Sequence, residues 1–167
     1  MIARLLFSAV LVASCACATL QNLRGLIQPP RFEEAPGQQA EVRILAPSAT
    51  EPLGGAGVRI WTRVTNPNPF GLTLGTLRGT LHVEETRAAA VDFPLGLPLQ
   101  AGADTVVPID LSISFDDLPG LANVIRRAVA REPLEYRLDG TIGVDAGQLG
   151  QPTFGPMTLV SGDLRVR

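Results

Sequence analysis

The chain has 167 residues, of which 46% are hydrophobic and 18% are charged, and its formal net charge is −2. This length and apolar content fit one folded domain and exclude a highly charged, disordered chain. All 14 basic residues are arginines, and apart from Arg126 and Arg127 they are scattered singly. The sequence therefore offers no basic surface for nucleic acid, and we expect no nucleic-acid partner.

The first residues have the pattern of an export signal. Arg4 precedes an apolar run over residues 5–12, which is shorter than the about 20 residues that a transmembrane helix needs. The following Val12-Ala13-Ser14-Cys15 resembles a bacterial lipobox, which implies that Cys15 is acylated and becomes the mature N-terminus. An ordinary cleaved signal, or acylation of Cys17, is the alternative.

The resemblance to lipoproteins implies a location and a division of the chain. Ala16 replaces the aspartate that retains such proteins in the inner membrane, so we expect an outer-membrane anchor facing the periplasm, with membrane lipid as the partner of Cys15. We predict a signal peptide at 1–14, a lipidated tether at 15–37 with an irregular first edge around residues 31–33, and a folded domain at 38–167.

The remaining sequence alternates between apolar and polar residues, which is typical of half-buried β-strands. Strands are predicted at 41–46, 57–65, 77–83, 87–95, 107–115, 134–144 and 160–166, with a bulge near Gly75 that brings Leu72 and Leu74 onto the face of Leu77. In 87–95 the apolar face is Ala89, Val91 and Phe93, and loops are expected at 94–102 and 147–156. A helix from 118 to 129, capped by Asp117, interrupts the strands. The fold class is an all-β, antiparallel β-sandwich of about seven strands with one short helix.

One turn carries more information than the rest. Pro67 and Pro69 end the strand pairing, while Asn66 and Asn68 can bond their own backbone and stabilise the bend. We regard Asn66, Pro67 and Asn68 as the turn motif of this domain.

With this turn, the chain resembles the group 2 late embryogenesis abundant (LEA) proteins with the WHy (water stress and hypersensitive response) domain. Further matches follow in order at residues 30–32, 77–83, 97–102 and 136–140. The resemblance implies a fibronectin III or immunoglobulin-like sandwich, an association with desiccation and stress tolerance, and no enzymatic activity.

The residues themselves show no catalytic or metal-binding set. Cys15 and Cys17 are the only cysteines and His82 the only histidine, so neither a closed zinc site nor a Ser-His-Asp triad is expected. His82 is predicted to lie on the surface, and Glu84-Glu85 and Asp116-Asp117 to be solvated or capping groups. We expect no enzyme activity, no metal and no cofactor.

The arrangement of Arg59, Trp61 and Arg63 on one face of a strand is a candidate binding face, because an exposed aromatic flanked by guanidinium groups suits protein or polysaccharide contact. Packing of Trp61 under a loop is the alternative. Three functions follow: a lipid-anchored, protective envelope domain; a structural or assembly subunit that binds an envelope protein; and a carrier of an apolar ligand near Leu121 and Ile125.

Overall fold

The strands predicted from alternation are present, and the fold is all-β. The computed structural model describes residues 27–49, 52, 54–114, 122–130 and 132–166. Within these residues the strands and helices are β1 Arg31–Glu34, β2 Ala40–Leu45, β3 Gly55–Thr65, β4 Leu72–Val83, β5 Thr86–Leu99, β6 Asp104–Ser114, α1 Ala122–Val129, β7 Leu134–Asp145, a 3-10 turn at Gly147–Leu149, and β8 Thr153–Val166.

Two central strands organise the sheet. β3 pairs along one edge with both β1 and β2 and along the other with β6, and every one of these pairings is antiparallel. β7 lies between β4 and β8, and β5 continues the sheet beyond β4. The two groups join where β2 runs parallel to β8, with Ala40 opposite Leu164. The result is consistent with the predicted sandwich.

The inward residues of both groups form one buried apolar cluster. Among its most deeply buried members, each less than 2% exposed, are Val58, Ile60, Leu74, Leu77, Leu81, Leu138, Ile142 and Leu164. They come from strands in which every second residue is apolar, so the alternation seen in the sequence is the alternation of the core. Burial of this cluster is the main stabilising contribution to the fold.

The predicted bulge is confirmed. The register of β4 shifts between Leu74 and Thr76 against β5, and between Leu74 and Leu77 against β7. Leu74 and Leu77 are consequently both fully buried although their positions differ in parity. Gly75 lies at this shift, where an added Cβ would lie 3.3 Å from the carbonyl oxygen of Gly143.

Two predicted loops are partly strand. β5 continues through residues 94–99, with Pro94 and Pro98 in register with Thr76 and Thr73, so the loop prediction for 94–102 was wrong over most of its length. Because β5 is an edge strand, a proline whose nitrogen faces away from β4 loses no ladder hydrogen bond. Phe93 is 37% exposed rather than buried, and the 147–156 loop is shortened because β8 begins at Thr153.

The folded part also begins earlier than position 38. β1 pairs with β3, Ile27 is buried, and the backbone of Gln28 is hydrogen-bonded to Asn68. The predicted signal peptide and Cys15 lie outside the described residues, as do Asp117, Phe115 and the Leu121 part of the predicted ligand-binding region. Among the described residues, no helix is both long and apolar enough to cross a membrane.

Candidate functional site

The side chain of Asn66 is fully buried at the end of β3, where it holds the following turn. Its Nδ2 donates to the carbonyl oxygens of Phe70 at 2.8 Å and Gln100 at 2.9 Å, and its Oδ1 accepts from the backbone N–H of Asn68 at 3.0 Å. The predicted local bonding is therefore present. The bond to Gln100, a residue in the loop before β6, was not predicted.

Asn68 extends the same network to the N-terminal segment. Its Nδ2 donates to Oδ1 of Asn66 at 3.0 Å and to the carbonyl oxygen of Gln28 at 2.9 Å, while its Oδ1 accepts from the N–H of Gln28 at 2.8 Å. Backbone bonds from Asn66 to Ala103 and from Gly102 to Asn68 complete the junction. Three chain segments are thus fastened at one end of the sandwich.

These bonds leave the two asparagines without free polar atoms. An amide side chain has two N–H donors, and in both residues the two donors and the oxygen are already engaged inside the protein. Neither side chain is more than 1% exposed. The side-chain amides of the turn motif therefore stabilise the fold.

The second predicted set, Arg59, Trp61 and Arg63, does share the outer face of β3. Arg59 forms a bidentate pair with Asp110 on β6, at 2.6 and 3.0 Å, and its guanidinium carbon lies 5.8 Å from the centre of the Trp61 ring. Arg63 is 3.5 Å from a carboxylate oxygen of Asp104. The hydrogen bond from Arg59 lowers the pKa of Asp110, so this carboxylate stays charged.

The cations of this face are accordingly balanced by acids of the neighbouring strand. Trp61 is half-buried opposite Pro108, and beside it Val106 is 41% exposed. An aromatic and apolar surface with compensated charges suits contact with protein more than attraction of an anionic polymer. The ring of Trp61 is neither fully buried nor fully exposed, so it offers part of its surface on the outer face of β3.

A polar group on the outer face of β4, β7 and β8 was not predicted from the sequence. Nε2 of His82 lies 3.9 Å from Asp139, which also accepts from Arg137 at 2.8 Å and from the hydroxyl of Thr158 at 2.7 Å. The bonds from Thr158 and Arg137 lower the pKa of Asp139. His82 is only 25% exposed, so it lies less openly on the surface than predicted. Residues from three strands form this group, and no sequence spacing links them.

Glu84 has a structural role that its sequence position did not show. Glu84 and Glu85 occupy the β4–β5 turn with φ of 50° and 61°, a backbone region that favours glycine. The carboxylate of Glu84 accepts from the N–H of Glu135 at 2.9 Å and pairs with Arg127 of α1. It therefore joins the helix to the sheet. Among the described residues, no group of histidine, cysteine and acidic side chains could hold a metal ion.

Taken together, the described site residues define an all-β sandwich domain. Its most distinctive polar feature is the buried hydrogen-bond network of Asn66 and Asn68, here called the asparagine junction. Residues 62–158, more than half of the chain, match the model of the LEA_2 family, described as late embryogenesis abundant protein. The chain belongs to this LEA type 2 family. None of the curated proteins compared with the chain matches it.

The likeness to one solved structure supports the fold. The solution structure of a protein from Arabidopsis thaliana is 18% identical, covers 74% of this chain and 76% of its own, and superposes with a TM-score of 0.54. The solution structure of a candidate late embryogenesis abundant protein is 18% identical, with coverages of 92% and 84% and a TM-score of 0.48. A protein from Archaeoglobus fulgidus is 10% identical, with coverages of 78% and 97% and a TM-score of 0.46.

Proposed function

We propose that this chain is a non-enzymatic lipoprotein of the cell envelope, which holds its LEA type 2 domain close to a membrane through lipid on Cys15. The observation that carries this proposal is the Val12-Ala13-Ser14-Cys15 sequence directly after the apolar run of the leader. An outer membrane, with the domain facing the periplasm, is the location that Ala16 favours.

The start of the fold limits how far the domain stands from its anchor. Because Ile27 is buried and Gln28 is bonded to Asn68, only residues 16–26 lie between Cys15 and the sandwich. At about 3.3 Å per residue, they reach at most roughly 36 Å. The end of the domain that carries the asparagine junction and Gln28 therefore stays near the membrane.

The polar residues considered for catalysis support a non-enzymatic role. His82 lies beside the Asp139 network, and Glu84 holds the backbone of Glu135 and the side chain of Arg127. The carboxylate of Glu84 is therefore engaged within the fold, and the imidazole of His82 is half-buried beside a carboxylate that already has two other donors.

Fatty-acid labelling tests the anchor. In cells that express the chain, a clickable fatty acid should label the wild type and place it in the membrane fraction, and Cys15→Ser should abolish both. Cys17→Ser is the matched control, because it removes the neighbouring thiol and leaves the lipobox intact. Label that persists in Cys15→Ser, or that is lost in Cys17→Ser, contradicts the assignment of Cys15.

A protective role in desiccation or envelope stress is the activity that family membership favours. Deletion of the gene should lower survival after drying or freezing, and expression of the wild type should restore it. Complementation with Cys15→Ser separates the roles, since rescue by the unanchored chain would show protection that does not depend on the membrane. Unchanged survival of the deletion strain would contradict a protective function.

Binding of an envelope protein is the second candidate, and the Trp61 face favours it. Val106 and Pro108 are exposed on β6, where they lie opposite Arg63 and Trp61. The two arginines beside Trp61 are already paired with acids of β6. Trp61→Ala should reduce the recovery of a crosslinked partner from intact cells, whereas Trp61→Phe should retain most of it. Recovery of the partner by Trp61→Ala at the wild-type level would remove this face from consideration.

A further inference from the structure

The outer edges of the sheet differ in how well they are protected. Within the described residues, β5 pairs only with β4, and β6 pairs only with β3. Pro108 interrupts the edge of β6, and Pro94 and Pro98 interrupt the second half of β5. Proline lacks the N–H that an added strand would need, so these positions resist edge pairing. The proline-free stretch of β5, Thr86–Phe93, remains available.

A bulge determines which side chains share a face of this stretch. Ala89 is opposite Leu81 and Arg87 is opposite His82, so Ala88 is an additional residue in β5. As a consequence, Arg87 lies on the same face as Ala90 and Asp92, although its position differs from theirs in parity. All three of these residues are exposed.

This arrangement makes the edge complementary to itself. Suppose that β5 of a second copy pairs antiparallel with this β5 and that the two-fold axis passes between the two Ala90 residues. Because Ala88 is an additional residue, Ala89 is then opposite Val91, and Arg87 is opposite Asp92, on both sides of the axis. Arg87 forms no ion pair with any described residue, and Asp92 pairs only with the exposed Arg78, at 3.3 Å. Opposite charges directly across a strand pair favour the pairing.

We propose that Thr86–Phe93 of β5 is a self-association edge, on which a second copy of this chain adds its own β5 in an antiparallel, two-fold arrangement centred on Ala90. The small side chains at positions 88–90 allow the two backbones to approach. Phe93, which is 37% exposed, then faces Thr86 of the second copy. The paired stretch is short, so association is weak in dilute solution and increases with concentration.

Disulfide trapping tests the register, because the two-fold axis places Ala90 opposite itself. Opposed residues in an antiparallel pair have Cα atoms about 4.5–5.5 Å apart, within the range that a disulfide spans. The test uses the full chain with Cys15 and Cys17 changed to serine, so it does not depend on lipid attachment. Under mild oxidation, Ala90→Cys should form a crosslinked dimer. The control Ala101→Cys, equally exposed in the turn before β6, should form much less.

Charge reversal then tests the complementarity. In the Ala90→Cys background, Arg87→Asp or Asp92→Arg places like charges opposite each other twice, and crosslinking should fall by roughly tenfold. The double variant Arg87→Asp/Asp92→Arg restores opposite charges and should recover the dimer. Arg126→Asp, on an exposed helix position, controls for net charge. Equal crosslinking at positions 90 and 101, or no recovery in the double variant, would overturn the proposal.

Discussion

Replacement of Asn66 by alanine should be among the most damaging single changes in the domain. It removes four hydrogen bonds of 3.0 Å or less, two donated to the carbonyls of Phe70 and Gln100 and two accepted from Asn68. The site is fully buried, so water does not replace these bonds. The loop before β6 and the turn after β3 then lose their shared side-chain contact.

The expected loss follows from the number of bonds. A neutral intramolecular hydrogen bond contributes about 1 kcal/mol net, and a buried group left without a partner costs about 1–3 kcal/mol. Gln100 keeps a backbone bond from Ala103, and Nδ2 of Asn68 keeps its bond to Gln28, so two of the partners remain partly satisfied. We therefore expect the free energy of unfolding to fall by about 3–5 kcal/mol, a large share of the 5–15 kcal/mol typical of a domain.

Urea unfolding of the chain with both cysteines changed to serine gives this quantity, since Trp61 is the single tryptophan and reports on β3. Asn123→Ala, at an exposed helix position, is the matched control and should change stability by less than about 0.5 kcal/mol. Because Asn66 and Asn68 bond each other, the double alanine variant should lose less than the sum of the two single variants. A loss below about 1 kcal/mol in Asn66→Ala would refute the role of the junction.

Four further predictions concern single residues. Burial raises the pKa of Tyr136, so its contribution to stability is present below its ordinary pKa of about 10 and is lost as the pH rises; absorbance titration should show the phenolate appearing only as the chain unfolds. Its buried hydroxyl has no hydrogen-bond partner among the described residues, so Tyr136→Phe should leave stability equal or higher by about 1 kcal/mol. The hydrogen bond from Arg59 lowers the pKa of Asp110, so the small loss in Asp110→Asn should be present above about pH 4 and should disappear in urea titrations as the pH falls through this lowered pKa. Gly140→Ala would place a Cβ 2.4 Å from a backbone oxygen and should lower the free energy of unfolding by about 3 kcal/mol in thermal unfolding. Gly57→Ala, with 3.6 Å to its nearest neighbour, should be tolerated in the same measurement.

The sequence predicted the strands well because each buried strand residue follows a period of two, and that period is local. The bulge at Gly75 was predictable for the same reason, since the leucines on either side change parity. Prolines misled the prediction at residues 94–99, because they normally end a strand. Only the position of β5 at the edge of the sheet explains their presence, and position in a sheet is a property of the whole fold.

The residues of the candidate site could be identified from the sequence, but the residues that they contact could not. Asn66 and Asn68 were identified, yet their partners Gln100 and Gln28 are 34 and 40 positions away in the chain. Arg59 and Arg63 were predicted as available cations, whereas β6 supplies the acids that pair with them. In each case the missing information was the tertiary arrangement of strands and loops, which brings together residues that no sequence spacing relates.

The asparagine junction also limits what family membership says about function. Asn66 and Asn68 carried the resemblance to LEA proteins, and all their side-chain polar atoms are engaged within the fold. The same residues therefore report how the sandwich is held together, and their side-chain polar atoms are already used for that purpose. Recognition has to come from surfaces outside this turn, which is why Cys15, the Trp61 face and the edge of β5 are where variants should separate function from folding.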